Sequence, residues 1–359
     1  MTTDTMERSD AADGARLSLI DCDVHPRLPR MADLSPHSDR YWAEMFAYRN
    51  IDRQELMAYP VSTLPYRPQD AGVTTDAAGL ARAHLDPNGI STAILNVMSG
   101  AHAAYDPYLA AAMCEATNRW LAAEWLDADP RLRGSLLVPF QHPEAAVREI
   151  ERCAGDGRFV QVLTVLMGEK PLGRREYWPI YRAMAEHGFA LGIHAGSTYR
   201  HAPTQCGFFS YRVEEAAAQT QAFSSQVASL VAEGVFGEFP DLRVVLHESG
   251  VSWLPSLMWR MSKDWKGARI EVPWVKVPPA ELIATHVRMT TQPFDGPGGP
   301  DAARVVAQLE HDMLLYASDF PHAHAGGAGL PHWLPAELHR AVARDNALST
   351  YARLEVADV

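Results

Sequence analysis

The chain has 359 residues, of which 47% are hydrophobic, so it can bury a large core in one α/β domain or two smaller ones. Its formal net charge of -12 argues against nucleic acid or an anionic membrane as the main partner, because both bind basic surfaces. No apolar run approaches the roughly 20 residues of a membrane span, and the polar start of the chain lacks the basic and apolar regions of a signal peptide. We therefore expect a cytoplasmic protein.

The domain organisation is simple. Residues 1–15 are small and polar, which predicts a disordered tail, and residues 16–359 contain no repeat or linker that would split a single domain. The four cysteines are far apart in the sequence, which predicts reduced thiols rather than disulfides or zinc knuckles.

The first predicted strand is an apolar run that begins at Leu17 and ends in Asp23 and His25 before Pro26. Side chains alternate along a strand, so Asp23 and His25 should face the same side. A carboxylate and an imidazole at the end of a buried strand form half of a divalent metal site.

A long segment, residues 25–78, follows this strand and contains proline, tyrosine and tryptophan, with one amphipathic helix near residues 38–49. In a barrel, such an insertion would lie over the mouth and shape the substrate pocket. It could equally serve as a dimerisation arm, and we expect a homodimer.

From Gly79 onward, apolar strands alternate regularly with helices. The predicted strands after the first are 90–97, 134–140, 159–166, 189–194, 242–247, 287–291 and 313–318. The principal predicted helices are 106–126, 143–154, 176–187, 214–236, 253–269, 301–310 and 335–348. Eight largely apolar strands separated by helices predict an α/β fold, the closed (β/α)8 TIM barrel. The alternative is a doubly wound open sheet, which would usually carry a glycine-rich loop after its first strand.

Residues of metal-ligand type fall at the ends of several predicted strands. His194 ends strand five, His247 and Glu248 end strand six, and Asp319 follows strand eight. Barrel active sites are built at the carboxyl ends of the strands, where scattered residues can converge. This placement predicts one divalent metal site that draws on Asp23, His25, His194, Glu248 and Asp319.

The sequence resembles the amidohydrolase superfamily, specifically its amidohydrolase-2 branch, and is similar to aminocarboxymuconate semialdehyde decarboxylase. The resemblance runs from about Leu17 to Thr350, and its clearest motifs start at Asp23, His84, Asn118, Tyr177, Ile193, Glu248, Thr290 and Ala317. The resemblance implies a divalent metal, usually zinc, held by Asp23, His25, His194 and Asp319.

The sequence departs from this family at two positions. Many relatives begin with His-x-His, and the replacement of the first histidine by Asp23 adds a hard oxygen ligand, so Mn2+ or Fe2+ become candidates beside Zn2+. Relatives often end strand six in His-x-Gly with that histidine as base, and counting back from Gly250 places Glu248 there. Strand alternation then predicts that Glu248 enters the pocket and His247 packs outward. Alternatively, the strand frays and His247 turns inward.

We expect the metal to activate a water that attacks an acyl carbonyl of an ester, thioester or amide. Glu248, His247 and Asp319 are the predicted catalytic residues, and Glu248 or His247 accepts the proton of the water. Aromatic and methionine side chains in the mouth segments favour a large apolar acyl group, so hydrolysis is the leading expectation.

The alternative reaction is the non-oxidative decarboxylation of a small aromatic or unsaturated acid, which would need cations to hold the substrate carboxylate. Arg27 and Arg200 are the candidate cations at the rim of the pocket, and Gln292 and His322 are further candidates for contact with the substrate. A non-catalytic binding barrel is the third class, and the complete ligand set argues against it.

Overall fold

The computed structural model describes residues 18–53, 74–322, 324 and 327–355. The predicted tail, 1–15, and residues 54–73 of the predicted mouth segment lie outside this range. Eight parallel strands form one sheet in the order β1 to β8. Their bounds are β1 Leu19–Val24, β2 Ile90–Leu95, β3 Leu132–Leu137, β4 Phe159–Met167, β5 Ala190–Ser197, β6 Val244–His247, β7 Val287–Thr290 and β8 Leu314–Leu315.

The sheet closes between its last and first strands. The main-chain N–H of Cys22 donates to the carbonyl of Tyr316 (3.0 Å), and that of His25 donates to the carbonyl of Phe320 (2.7 Å). These bonds confirm the predicted (β/α)8 TIM barrel.

Helices connect the strands and cover the outside of the barrel. The α-helices are α1 Met31–Leu34, α2 Arg40–Arg49, α3 Ala77–Leu80, α4 Asp86–Asn88, α5 Pro107–Leu121, α6 Pro143–Cys153, α7 Trp178–His187, α8 Arg212–Ala232, α9 Val235–Glu238, α10 Leu254–Ala268, α11 Pro279–His286, α12 Pro300–Val306 and α13 Asn346–Thr350. Single π-helical turns span Ala81–Leu85, Ala122–Leu126 and Ala341–Asp345. Short 3-10 helices span Ser35–His37, Gly100–Ala103, Arg175–Tyr177 and Ala336–Leu338. None of the helices in the described part of the chain is long and apolar enough to cross a membrane.

Two predicted helices are interrupted in the structure. The predicted helix 214–236 divides into α8 and α9 because Gly234 adopts a left-handed conformation, with φ of 83°, which glycine reaches without steric cost. The predicted closing helix 335–348 is instead a 3-10 turn, a π turn and α13 in succession.

A small apolar cluster fills the base of the barrel. It joins side chains from several strands, among them Ile20, Ile94 and Val245, to Tyr351 from the end of the chain. Each buried aliphatic side chain of this kind contributes roughly 1.5–3 kcal/mol to folding. The base is therefore apolar, and the polar cluster described below occupies the opposite end, where the strands finish.

Candidate metal and catalytic centre

The structure brings the four predicted metal ligands together. His25 Nε2 lies 3.3 Å from Asp23 Oδ1 and 3.2 Å from Asp319 Oδ1. His194 Nε2 lies 3.7 Å from Asp23 Oδ2. Asp23, His25 and His194 therefore converge from the ends of β1 and β5, and Asp319 in the loop after β8 adds a second carboxylate beside His25. Imidazoles and carboxylates are a donor set that divalent metals bind in proteins.

The hydrogen bonds of the two histidines leave a nitrogen of each ring for a metal. His25 Nδ1 donates to the carbonyl of Asn96 (3.1 Å), and His194 Nδ1 donates to its neighbour's carbonyl, Ala195 (2.8 Å). A carbonyl only accepts, so the neutral rings carry their lone pairs on Nε2. Both Nε2 atoms and Asp23 Oδ2 are buried and have no hydrogen-bond partner in the described chain. Buried polar atoms seldom stay unsatisfied, and a divalent ion among them would satisfy all three.

The cluster is strongly coupled electrostatically. Burial alone would raise the pKa of Asp23, but the imidazoles of His25, His194 and His247 outweigh it and hold that pKa well below the usual range. Burial alone would lower the pKa of His25, but Asp23 and Asp319 raise it to about 10. The buried carboxylates and protonated imidazoles thus stabilise each other's charges. A divalent ion would take over this role and displace the protons from the imidazoles.

Both residues at the end of β6 face this cluster, so the predicted outward orientation of His247 is wrong. His247 is fully buried, its ring stacks on that of His194, and its Nδ1 lies 3.4 Å from Asp23 Oδ2. Glu248 Oε1 lies 3.8 Å from the Nε2 atoms of both His25 and His194. The strand ends at His247, and Glu248 has φ of 55°, so the alternation on which the prediction rested stops between them.

Two histidines from the loop after β8, His322 and His324, contact the carboxylate of Asp319. His322 Nδ1 lies 2.7 Å from Asp319 Oδ1, and His324 Nε2 lies 2.7 Å from Asp319 Oδ2. Burial would raise the pKa of Asp319, but the neighbouring imidazoles of His25, His322 and His324 lower it strongly. His324 was not among the candidate residues predicted from the sequence, although its spacing in the loop after Asp319 could have suggested the contact.

A buried carboxylate of β1, Asp21, also holds the loop that carries Asp319. Asp21 accepts hydrogen bonds from the main-chain N–H of Ser318 (3.0 Å), the hydroxyl of Ser318 (2.6 Å) and His84 Nε2 (2.8 Å). The His84 ring stacks on Phe320 at 4.4 Å. Residues on both sides of Asp319 are thereby anchored, and Asp319 itself adopts φ of 57°, a conformation that costs a non-glycine residue roughly 1–3 kcal/mol.

The predicted substrate-contact residues are dispersed. Arg27 pairs with Asp33 (2.9 Å), and Arg200 pairs with Glu169 (3.0 Å) while donating to the carbonyl of Ala104 (2.7 Å). Both guanidinium groups therefore have partners outside the cluster of candidate metal ligands.

Gln292, by contrast, shares a pocket with a residue of the cluster. The pocket has a volume of about 360 Å3 and is lined by Gln292, His324 and the stacked rings of Phe294 and Trp333. His324 connects this pocket to Asp319.

Comparison with known proteins gives consistent matches. The family model described as Amidohydrolase matches residues 20–353. The gamma-resorcylate decarboxylase of Polaromonas sp. (strain JS666 / ATCC BAA-500) is 28% identical over 258 residues, which cover 66% of this chain and 74% of the relative. The gamma-resorcylate decarboxylase of Rhizobium sp. (strain MTP-10005) is 27% identical over 254 residues, with the same coverage of 66% and 74%.

Solved structures share the fold. The 5-carboxyvanillate decarboxylase of Sphingomonas paucimobilis aligns with a TM-score of 0.67 and 21% identity, covering 94% of this chain and 99% of that one. The dihydroxybenzoic acid decarboxylase of Polaromonas sp. JS666, solved with manganese and the inhibitor 2-nitroresorcinol, aligns with a TM-score of 0.65 and 19% identity, covering 93% and 97%.

These matches correct the expected reaction. Hydrolysis of an acyl bond was the leading expectation, and it is wrong, because the curated relatives and the similar solved enzymes named above are decarboxylases of aromatic acids. The alternative that the sequence left open agrees with them.

Proposed function

The chain belongs to the amidohydrolase family, and we propose that it is a metal-dependent, non-oxidative decarboxylase of an aromatic carboxylic acid. The observation that carries this proposal is its similarity to gamma-resorcylate decarboxylases over two thirds of the chain. The converging carboxylates and imidazoles support it, because such a site can hold both an ion and an anionic substrate.

Asp23, His25 and His194, whose ligand atoms converge in the structure, would hold one divalent ion together with Asp319, which lies beside His25. The bound ion would supply the positive charge that retains a substrate carboxylate and stabilises electron density on the ring as CO2 departs. Two carboxylate ligands favour a hard ion, so we place Mn2+ before Zn2+. The manganese in a similar solved decarboxylase supports this order.

Decarboxylation also requires a proton, because the electron pair of the broken carbon–carbon bond must be taken up at the ring carbon. Glu248 faces the cluster, and its side chain keeps 15% of its exposure, so it can receive protons from solvent and deliver them to that carbon. His247 reaches the cluster through Nδ1, where it can accept a proton or hydrogen bond from a polar substituent of the substrate. The sum of the reaction is aromatic carboxylate plus one proton giving arene plus CO2.

The substrate ring would lie in the pocket beside Asp319. The stacked aromatic pair Phe294 and Trp333 provides flat apolar surface there, and His324 and Gln292 provide polar contacts. His322, which contacts both Asp319 and Glu248, stands next to the reacting groups.

A substrate panel tests this function. The purified protein, stripped of metal and reloaded with Mn2+ or Zn2+, is incubated with hydroxybenzoic and carboxyvanillic acids, aryl esters and acyl thioesters, and CO2 and free acid are measured in parallel. We expect metal-dependent CO2 release from at least one aromatic acid, and none from Asp319→Asn. Metal-dependent ester or thioester cleavage without CO2 from any acid would contradict the proposal.

A further inference from the structure

A chain of hydrogen bonds runs from Asp23 to the far side of His247. Asn96 Nδ2 donates to Asp23 Oδ1 (2.7 Å), and a carboxylate can only accept, so the amide oxygen of Asn96 must point the other way. That oxygen accepts from the hydroxyl of Ser135 and from Gln161 Nε2 (3.2 Å). The orientation of the first amide is therefore dictated by the charge of Asp23.

The same reasoning determines the orientation of the second side-chain amide, that of Gln161. Gln161 Nε2 donates to Asn96 Oδ1 and to Ser135 Oγ (2.8 Å), which uses both of its hydrogens. Turning this amide over would place its oxygen against the oxygen of Asn96, an unfavourable pairing of two acceptors. Gln161 Oε1 consequently faces His247 Nε2 at 3.2 Å, and all five groups are buried.

We propose that Gln161 is a positioning residue that holds His247 in its Nε2–H tautomer. An amide oxygen accepts only, so Nε2 must carry the hydrogen, and the neutral ring then has its lone pair on Nδ1. Nδ1 has no hydrogen-bond partner among the described residues and lies 3.4 Å from Asp23 Oδ2, at the metal cluster. Without Gln161, this carboxylate oxygen would be the nearest acceptor for the ring and would draw the hydrogen to Nδ1. The lone pair would then face away from the centre.

The three histidines of the centre thus differ in which ring nitrogen faces it, and the hydrogen-bond acceptor behind each ring determines which one. Main-chain carbonyls make His25 and His194 present Nε2, which suits a metal ligand. A side-chain amide makes His247 present Nδ1 instead, which suits contact with the substrate. The consequence for turnover rests on the proposed function, whereas the tautomer itself does not.

Gly192 makes room for the Gln161 amide. A Cβ at this position of β5 would lie 2.8 Å from Gln161 Oε1 and 2.9 Å from its Cδ, closer than side chains pack. Gly192→Ala should therefore displace the amide from His247 without removing a polar group. It provides a second test that does not depend on deleting Gln161.

The experiment measures the tautomer directly. Protein labelled with 15N-histidine and loaded with diamagnetic Zn2+ is compared by 15N NMR as wild type, Gln161→Leu and Gly192→Ala. The His247 signals are identified by their loss in His247→Gln. Gln226→Leu is the matched control, because Gln226 is also a buried glutamine, yet it bonds the main chain at Leu166 and Leu172.

We expect the Nε2–H tautomer in wild type and Gln226→Leu, and the Nδ1–H tautomer in Gln161→Leu and Gly192→Ala. With a substrate found by the panel, kcat of Gln161→Leu should fall roughly 10- to 100-fold with KM little changed, the range typical of groups behind a catalytic site. A merely structural role would destabilise both glutamine variants alike and leave the tautomer unchanged.

Three results would overturn the proposal: an Nδ1–H ring in wild type, a doubly protonated ring in wild type, or an unchanged tautomer in Gln161→Leu. If Gln161→Leu does not fold, Gly192→Ala decides by the same criterion. A tautomer switch in a protein that releases no CO2 from any aromatic acid would sustain this inference and contradict the proposed function.

Discussion

Replacing Asp21 by alanine should both destabilise the protein and weaken its metal site. The change leaves two buried donors of Ser318 without an acceptor, its main-chain N–H and its hydroxyl hydrogen, whereas His84 Nε2–H can still donate to the Ser318 hydroxyl oxygen at 3.1 Å. Each unsatisfied buried donor costs about 1–3 kcal/mol, so the free energy of unfolding should fall by about 4 kcal/mol. Ser318 precedes Asp319, and the loss of its anchor should weaken metal binding roughly 10-fold or more.

Urea unfolding and a competitive metal titration measure the two effects. Asn118→Ala is the matched control: this buried asparagine bonds the main chain of Leu137 and the Glu149 carboxylate, none of which belongs to the metal cluster. The control should lose similar stability and keep its metal affinity. Metal binding by Asp21→Ala as tight as in wild type, or a stability loss below about 1 kcal/mol, would refute the reasoning.

Replacement of any one of the four predicted ligands by alanine should remove the ion, about one per chain, and the residues tested are Asp23, His25, His194 and Asp319. Metal content is measured by mass spectrometry. Full metal content in two of these variants would refute the ligand assignment. Glu248→Gln should retain the ion while turnover falls roughly 10²- to 10⁴-fold, and loss of the ion would identify Glu248 as a ligand. His247→Asn should reduce kcat less than Glu248→Gln does. A larger reduction in His247→Asn would identify His247, rather than Glu248, as the group that transfers the proton. Burial lowers the pKa of His102 to about 4, against about 6.5 in the unfolded chain, so stability should fall by about 3 kcal/mol as pH drops from 6.5 to 4. Calorimetry should find this pH dependence flattened in His102→Leu, and an unchanged dependence would contradict it.

The convergence of the predicted metal ligands could be anticipated because the strands of a barrel all end on one face, where residues far apart in the sequence become neighbours. His194 and Asp319 are more than 100 residues apart in the sequence, yet each follows an apolar run, and parallel strands in a barrel finish on the same face. No side-chain detail beyond strand alternation was needed to place Asp23 and His25 beside them.

The residues behind and beside the ligands could not be predicted in the same way. Glu248 faces the same side as His247 because its backbone is left-handed, which local sequence does not reveal because glutamate rarely adopts this conformation. The tautomer of His247 depends on Gln161, 86 residues earlier. Contacts of this kind require the register between strands, which composition and periodicity do not supply.

The reaction was mispredicted for a chemical reason. Hydrolysis and decarboxylation can use the same carboxylate and imidazole ligands, so the ligand pattern alone does not separate them. The aromatic side chains do not indicate an acyl group either: Trp253 packs on Phe223 at 6.1 Å, and the stacked pair Phe294 and Trp333 lines the pocket proposed for an aromatic ring.

The most direct test of decarboxylation follows the carboxyl carbon itself. The Mn2+-loaded protein is incubated in D2O with 2,6-dihydroxybenzoate labelled with 13C in the carboxyl group, or with the best acid from the panel labelled in the same way. After removal of the metal, 13C and 1H NMR record the products. We predict labelled CO2 and bicarbonate together with an arene that carries one deuterium at the carbon that bore the carboxyl group. A label that stays attached to the ring, in a protein that cleaves esters or thioesters with its metal bound, would contradict the account.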